Sequence, residues 1–221
     1  MEDTKIRFKF NKINEYKYLS HLEIVRLMIM AVSRADINIK YREGFNPNPK
    51  INFSFPVPVG LASIAEYSDI DILGKMEAAD FKKAINIQLK DQLSVTDAKN
   101  VYVKVPSLMG DITFCHFIFT VMLQKKDLIS KLKDDIMDSS EFSESIYSLE
   151  PVESTNARDI VNLSLIGYTK TLTNNKIFKF NDFLKYFKYL SNNMNIVVKD
   201  YFKKEAYILR EGQLKTPLDI V

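Results

Sequence analysis

The chain has few of the residues that build disulfides and metal clusters. Cys115 is the single cysteine among 221 residues. One thiol excludes an internal disulfide, a cysteine-based zinc site and an iron–sulfur cluster held by this chain alone, because such clusters need several thiolates. Cys115 lies within the apolar run from Thr113 to Leu123, which favours a small buried hydrophobe. The low cysteine count fits a reducing cytoplasm, which is the predicted location.

Long apolar segments and known catalytic motifs are also missing. The sequence has no uncharged apolar stretch of about 18 residues, so no membrane span is expected. Its N-terminal MEDTKIRFKF contains acidic residues and no apolar core, so a signal peptide is not expected. The Walker A, GxGxxG, GxSxG, HExxH and EF-hand patterns do not occur. His21 and His116 lie far apart in the sequence, so we predict neither a metal site nor a cofactor.

Positive charge is present in two zones, although the net charge is only +3. Residues 1–50 hold ten Lys or Arg against six Asp or Glu, and residues 170–204 hold eight Lys against two Asp. An acidic stretch separates them, from Asp134 to Glu153. Two basic zones favour a surface for an anionic ligand, and lysines that are merely solvated are the alternative.

Regular patterns at the N-terminus predict a strand and a helix. Residues 5–10 alternate, with Ile6, Phe8 and Phe10 on one face, which indicates a half-buried strand. The other face carries Lys5, Arg7 and Lys9 and is expected to be a basic outer face. Ser20 and Glu23 form a capping box for a helix that is expected to run to about Ala35, with Leu22, Val25, Ile29 and Val32 facing the core.

The order of predicted elements is strand, helix, two strands, helix, strand, and it occurs twice. This order is typical of the split βαβ, or ferredoxin-like, plan. We therefore predict an α+β protein of two tandem ferredoxin-like (βαββαβ) units, each with an antiparallel sheet and helices on one face. The predicted N-terminal unit spans residues 1–107 and carries the SHL and GFNPNP motifs. The predicted C-terminal unit spans residues 108–221.

A stiff basic loop between two predicted strands, 37–41 and 51–55, is the strongest candidate site. Gly44 permits a positive φ, while Pro47 and Pro49 restrict the backbone and remove two donors. Basic groups beside an aromatic suit a ligand with a phosphate and a base. The alternative is a structural loop with Phe45 packed in the core. The predicted binding residues of this region are Tyr41, Arg42, Gly44, Phe45, Asn46, Pro47 and Lys50, with Arg26, Lys5, Arg7 and Lys9 nearby.

Other residues allow both a functional and a structural interpretation. His21 could bind phosphate or act as an acid or base at a helix N-terminus, and it is the weak catalytic candidate. Asp69 and Asp71 could hold a metal ion. The favoured interpretation is that Tyr67, Asp69 and Asp71 pair across strands with Lys5, Arg7 or Lys9. His116 is interpreted as structural. The run from Phe178 to Tyr189 suits a core stripe with solvated lysines better than a nucleic-acid contact.

These motifs resemble a known family over about a third of the chain. The matching segments are YLSHLE, YREGFNPNPKINF, PVPVG and EYSDID, all within Lys5–Asp71, with weaker likeness at 156–161, which includes Arg158, at 203–207 and at 216–219. They resemble the radical-SAM-linked bacterial domain of unknown function, which occurs alone or fused to a radical S-adenosylmethionine protein. The resemblance implies a cytoplasmic protein that works beside a radical enzyme, often encoded near a ribonuclease of the E/G type.

Three functions follow as expectations. The first is a non-catalytic accessory module that binds RNA or an RNA-derived substrate and works with a radical SAM enzyme. The second is a protein–protein adaptor for that enzyme. The third is a metal-independent RNA-processing endonuclease with His21 as its acid or base. The sequence favours a protein that is not itself an enzyme, because no complete catalytic motif is present.

Overall fold

The chain forms an α+β fold in which most neighbouring strands are antiparallel. The computed structural model describes residues 3–45, 47–125, 127–153, 159–172 and 174–221. Among these residues the strands are β1 Thr4–Lys12, β2 Ile51–Phe53, β3 Ala62–Ile72, β4 Val95–Asn100, β5 Phe114–Met122, β6 Ile146–Glu153, β7 Ile160–Tyr168, β8 Val197–Arg210 and β9 Gln213–Lys215. The helices are α1 His21–Arg34, α2 Ala78–Gln88, α3 Leu108–Asp111, α4 Asp127–Met137 and α5 Phe180–Asn193.

Two compact units divide the chain. The first contains residues 1–112 and 206–221, and the second contains residues 113–205. The sequence places a boundary at 107/108 and assigns everything after it to one unit. In the structure the last sixteen residues pack with the first unit instead, through Ala206, Ile208 and Leu218.

In the first unit, β1 lies between β4 and β3, and β2 pairs with the far side of β3, all antiparallel. The capping box is confirmed: the Ser20 side chain accepts from the Glu23 N–H, and the Glu23 carboxylate accepts from the Ser20 N–H at 2.7 Å. Both long helices pack on one face of this sheet. The core there includes Ile6, Phe8, Phe10, Ile24, Met28, Ile70, Phe81 and Ile85.

Two expectations about this unit need correction. The core face of α1 consists of Ile24, Met28, Ala31 and Val32, whereas Leu22 is 66% exposed. The expected strand at 37–41 is reduced to isolated bridges, Ile39 with Ile72 and Tyr41 with Pro49, because the chain at this point already turns into a loop.

The face of the first sheet opposite α1 and α2 is partly covered by the chain's own segments. Tyr67 and Ala65 pack there with Leu108 and Ile112 of the α3 region and with Leu218 near the C-terminus. The Arg7 side chain is fully buried in this layer. The expectation that Arg7 belongs to a basic outer face is therefore wrong, because chain segments cover the face on which it lies.

A buried ion pair holds this layer together. The Arg7 guanidinium donates to both carboxylate oxygens of Asp69, at 2.7 and 2.9 Å. It also donates to the carbonyl oxygens of Pro217 at 3.3 Å and Pro106 at 3.4 Å. One side chain therefore joins two strands to two distant segments of the chain.

The second unit is built around an aromatic core. Its strands β5 and β6 both pair antiparallel with β7, and α5 contributes Phe180, Phe183 and Phe187 to the core. Lys179 occupies the N-cap position of α5. Gly167 in β7 lies against Phe178, whose ring would be 2.5 Å from any added Cβ. The lysines at 179, 185 and 188 are exposed, as a core stripe with a solvated face requires.

We expect Arg7→Met to lower the free energy of unfolding by about 3–5 kcal/mol, because it leaves the Asp69 carboxylate buried without its partner. Lys5→Met is the matched control on the same strand. Lys5 pairs with Asp71 at 3.6 Å, and the Lys5 side chain is 40% exposed, so its loss should cost less than about 1 kcal/mol. Urea unfolding followed by circular dichroism measures both. Equal small effects would contradict the role assigned to Arg7.

His116 should make stability depend on pH. Burial, and then the nearby charge of Lys204, lowers the pKa of His116 to about 4 from an ordinary value of 6.5. The unfolded chain binds this proton more tightly than the folded chain does. The contribution of His116 to stability is therefore fully present above the pKa in the unfolded chain, and it is lost as the pH falls toward the pKa in the folded chain. From about pH 7.5 to about pH 5 the loss should be about 2 kcal/mol.

His116→Gln should remove that component of the pH dependence in urea unfolding of the intact chain. His21→Gln is the control for the loss of one imidazole, because His21 is exposed. A His116→Gln protein that still loses the same stability between these pH values would show that other groups are responsible.

Candidate functional site

Backbone hydrogen bonds close the loop from Tyr41 to Lys50, hereafter the 41–50 loop. The Arg42 N–H donates to the Asn48 carbonyl at 2.8 Å, and the Lys50 N–H donates to the Lys40 carbonyl at 2.7 Å. Gly44 has φ +140°, and nothing lies within 4 Å of where its Cβ would be. The positive φ therefore favours glycine at this position. Lack of space is not the reason, because a side chain would contact nothing there.

Aromatic side chains of the 41–50 loop face solvent. Phe45 is 101% exposed and Tyr41 is 51% exposed. The alternative in which Phe45 packs into the core is therefore wrong. A fully exposed phenylalanine leaves a large apolar surface in water and offers it to any ligand with a flat face.

The charged groups of the 41–50 loop are mixed in sign. Arg42 donates one hydrogen bond to the Asn52 side chain at 2.6 Å, which leaves other guanidinium donors for a ligand. Lys50 is half-buried and Glu43 is exposed. At the base of the loop Lys40 pairs with Asp3 at 2.6 Å, and this hydrogen bond lowers the pKa of the Asp3 carboxyl.

The other predicted binding residues do not gather at this loop. On β1, Lys5 lies opposite Asp71, Arg7 opposite Asp69 and Lys9 opposite Tyr67. The Lys9 ammonium is 6.0 Å from the centre of the Tyr67 ring. The favoured interpretation, pairing across the strands, is thus confirmed. Arg26 is exposed on α1, and Pro47 is exposed within the 41–50 loop. Asn46 and Arg158 lie outside the described residues.

His21 is one of the residues that line a small pocket. Its ring meets the Phe53 ring edge-on at 5.5 Å between centroids. The pocket, hereafter the Lys12 pocket, is partly open to solvent and has a volume of about 20 Å³. Its walls include Phe10, Lys12, His21, Phe53, Ser54 and Glu66.

The Lys12 pocket contains two buried charged residues. Lys12 is 4% exposed and Glu66 is 6% exposed. Glu66 accepts a hydrogen bond from the Ser63 hydroxyl at 2.7 Å. Burial lowers the pKa of Lys12, while the charges of Glu66 and Glu23 oppose that change. Buried charges in a pocket are candidates for function, although ion pairs that serve only structure also produce them.

Sequence reasoning missed this pocket, although a signal for it was present. Lys12 continues the even-numbered series of Ile6, Phe8 and Phe10, which faces the core. The period of two along a strand therefore places Lys12 on the inner face. The motifs SHL, INFSFPV and EY each contribute at least one residue to this pocket: His21, Phe53 and Glu66 respectively.

Neither a metal cluster nor a membrane-spanning helix occurs in the described part of the chain. No group of three or more His, Cys, Asp or Glu residues there could hold a metal ion. None of its helices is both long and apolar enough to cross a membrane.

Comparisons with known proteins identify a family but no function. A family model described as "Uncharacterized protein conserved in bacteria (DUF2344)" matches residues 5–179. No curated protein matches the chain. Among solved structures, one that carries the name of a glycine cleavage system transcriptional repressor is similar at 10% identity, over 91% of this chain and 98% of that chain. Its TM-score is 0.28, and so low a score carries no argument about fold or function.

Proposed function

The chain belongs to the bacterial family DUF2344, and we propose that it is a non-catalytic accessory module that binds RNA or an RNA-derived substrate through the 41–50 loop. The observation that carries this proposal is the complete exposure of Phe45 at 101%, beside the exposed Arg42. Proteins that bind single strands combine aromatic rings, on which bases stack, with cations for the phosphates.

The closed shape of the loop supports this role. Hydrogen bonds at Arg42 and Lys50 tie its two ends together, and Pro47 and Pro49 restrict the backbone between them. A loop that is ordered before binding loses less entropy when it meets its ligand. Tyr41, half-exposed at the start of the loop, offers a second ring for stacking.

The resemblance of the motifs to radical-SAM-linked proteins supplies the partner in this proposal. Cys115 alone cannot hold an iron–sulfur cluster, so any radical chemistry would belong to a separate cytoplasmic enzyme. We also interpret each unit as ferredoxin-like. In the first unit the pairings β4–β1, β1–β3 and β3–β2 and the order of strands and helices along the chain support this interpretation, and so do β5, β6 and β7 of the second unit.

A protein–protein adaptor is the second candidate, and the exposed Phe45 favours it as well. An aromatic side chain that projects from a loop can fill a pocket on another protein. The two candidates differ in salt dependence, because phosphate contacts release counterions and protein pockets for phenylalanine do not. Endonuclease activity with His21 is tested in the same experiment.

We expect nuclease-treated protein to bind a labelled small RNA with an affinity that falls steeply as salt rises. Arg42→Ala with Lys50→Ala should flatten the slope of log K against log salt by roughly 0.7 for each phosphate that the variant no longer neutralises. Phe45→Ala should weaken binding about fivefold or more without changing the slope, because stacking involves no charge. Fluorescence anisotropy at several salt concentrations measures these values.

Glu43→Gln is the matched control within the same loop. It removes a negative charge beside Arg42, so it should tighten RNA binding. An unchanged slope in the Arg42 and Lys50 variant would remove the loop from the site. No binding even at low salt, together with co-purification of a radical enzyme through Phe45, would favour the adaptor. Cleavage of the RNA that is abolished in His21→Ala would show that the protein is an enzyme.

A further inference from the structure

The side chain of Lys12 lines a pocket, and its ammonium has no hydrogen-bonding partner in the described part of the chain. Lys12 is 4% exposed and contributes to the wall of the Lys12 pocket. Within the described residues, its ammonium makes neither a hydrogen bond nor an ion pair, and its interactions with Glu66 and Glu23 are longer-range. An ammonium has three donors, and donors that the protein leaves unused in a pocket are costly unless another group or water accepts from them.

The nearest acidic groups are already engaged. Glu66 accepts from the Ser63 hydroxyl at 2.7 Å. Glu23 accepts from the backbone N–H and the hydroxyl of Ser20, both at 2.7 Å, at the start of α1. The fold therefore places a cation in this pocket while using the acidic oxygens around it for other hydrogen bonds.

The backbone is irregular where Lys12 enters the pocket. The pairing of β1 with β3 shifts register between Phe10, opposite Glu66, and Lys12, opposite Ser63. The pairing of β1 with β4 shifts between Lys9 and Phe10. Bulges re-aim side chains and occur often beside binding sites. The extra residues lie on β3 and β4, so β1 keeps its period of two and Lys12 lies on the same face as Phe10, beside both irregularities.

We propose that the Lys12 pocket binds the carboxylate group of a small organic acid, with the Lys12 ammonium as its donor. The pocket volume of about 20 Å³ slightly exceeds what one water needs, which is about 10–15 Å³. It suits the tip of a ligand, and a flat carboxylate is smaller than a tetrahedral phosphate. Phe53 and Val57, which also line the pocket, provide an apolar surface for the rest of the acid.

The charge of Glu66 makes the proposal sharply testable. A carboxylate ligand is attracted by Lys12 and repelled by Glu66. Neutralising Glu66 should therefore tighten binding, whereas neutralising Lys12 should weaken it. If Lys12 and Glu66 serve only to stabilise the fold, neither variant should bind the ligand.

The test is a titration of the full natural chain with propionate, followed by NMR of the side chains around the pocket. We expect saturable shifts at His21 and Val57 that are absent with inorganic phosphate at the same ionic strength. Lys12→Met should weaken propionate binding about tenfold or more, the effect expected for loss of a charge-assisted hydrogen bond. Lys83→Met, an exposed lysine of α2, is the control for the loss of one positive charge.

Glu66→Gln should tighten propionate binding in the same titration. Absence of saturable shifts in the natural chain would overturn the proposal, and this result does not depend on whether any variant folds. Tighter binding of phosphate than of propionate would overturn the choice of carboxylate. Equal weakening by Lys12→Met and Lys83→Met would overturn the assignment of Lys12. None of these outcomes bears on RNA binding, which the proposed function assigns to the 41–50 loop.

Discussion

The buried pair of Arg7 and Asp69 is the interaction on which the arrangement of the first unit depends. A guanidinium has donors for several acceptors in one plane, and here they reach Asp69 and the carbonyls of Pro106 and Pro217. A charge buried this completely is tolerated only when it is paired and hydrogen-bonded. The segment that precedes α3 and the C-terminal segment must therefore both remain in place, which explains why residues 206–221 belong to the same unit as 1–112.

This constraint limits where a ligand could bind. Residues of the α3 region and of the C-terminus pack over part of the sheet face opposite α1 and α2. Lys99 donates to the Leu218 carbonyl at 2.8 Å and holds the C-terminal segment there. On the opposite face α1 and α2 cover the sheet. The basic residues Lys5, Arg7 and Lys9 of β1 thus mainly contact other residues of the protein. Groups available to a ligand remain in the 41–50 loop and at the end of β1, where the sheet becomes irregular.

Sequence patterns predicted those features that depend on neighbouring residues. The alternation of residues 5–10 and the capping box at Ser20 have local causes, and both are confirmed. The predicted core face of α1 was wrong because Leu22, Val25 and Ile29 place apolar residues on more than one side of the helix. Tertiary packing therefore determines which side is buried. The exposure of Phe45 could not be predicted either, since a loop sequence does not reveal whether its aromatic residue meets the core. The burial of Arg7 could not be predicted, because it depends on segments about 100 and 210 residues away.

The same strand shows why charge type alone is a poor guide to a binding site. Lys5, Arg7 and Lys9 share one phase of β1, and their partners lie directly opposite on β3. Lys12 has the opposite phase, so its side chain enters the side of the sheet that the helices cover. There the register shift places Ser63 opposite it, a residue whose hydroxyl already donates to Glu66. Lys5, Arg7 and Lys9, which looked like a surface, are matched by residues of the protein itself, whereas Lys12, whose phase hides it from that surface, lines a pocket.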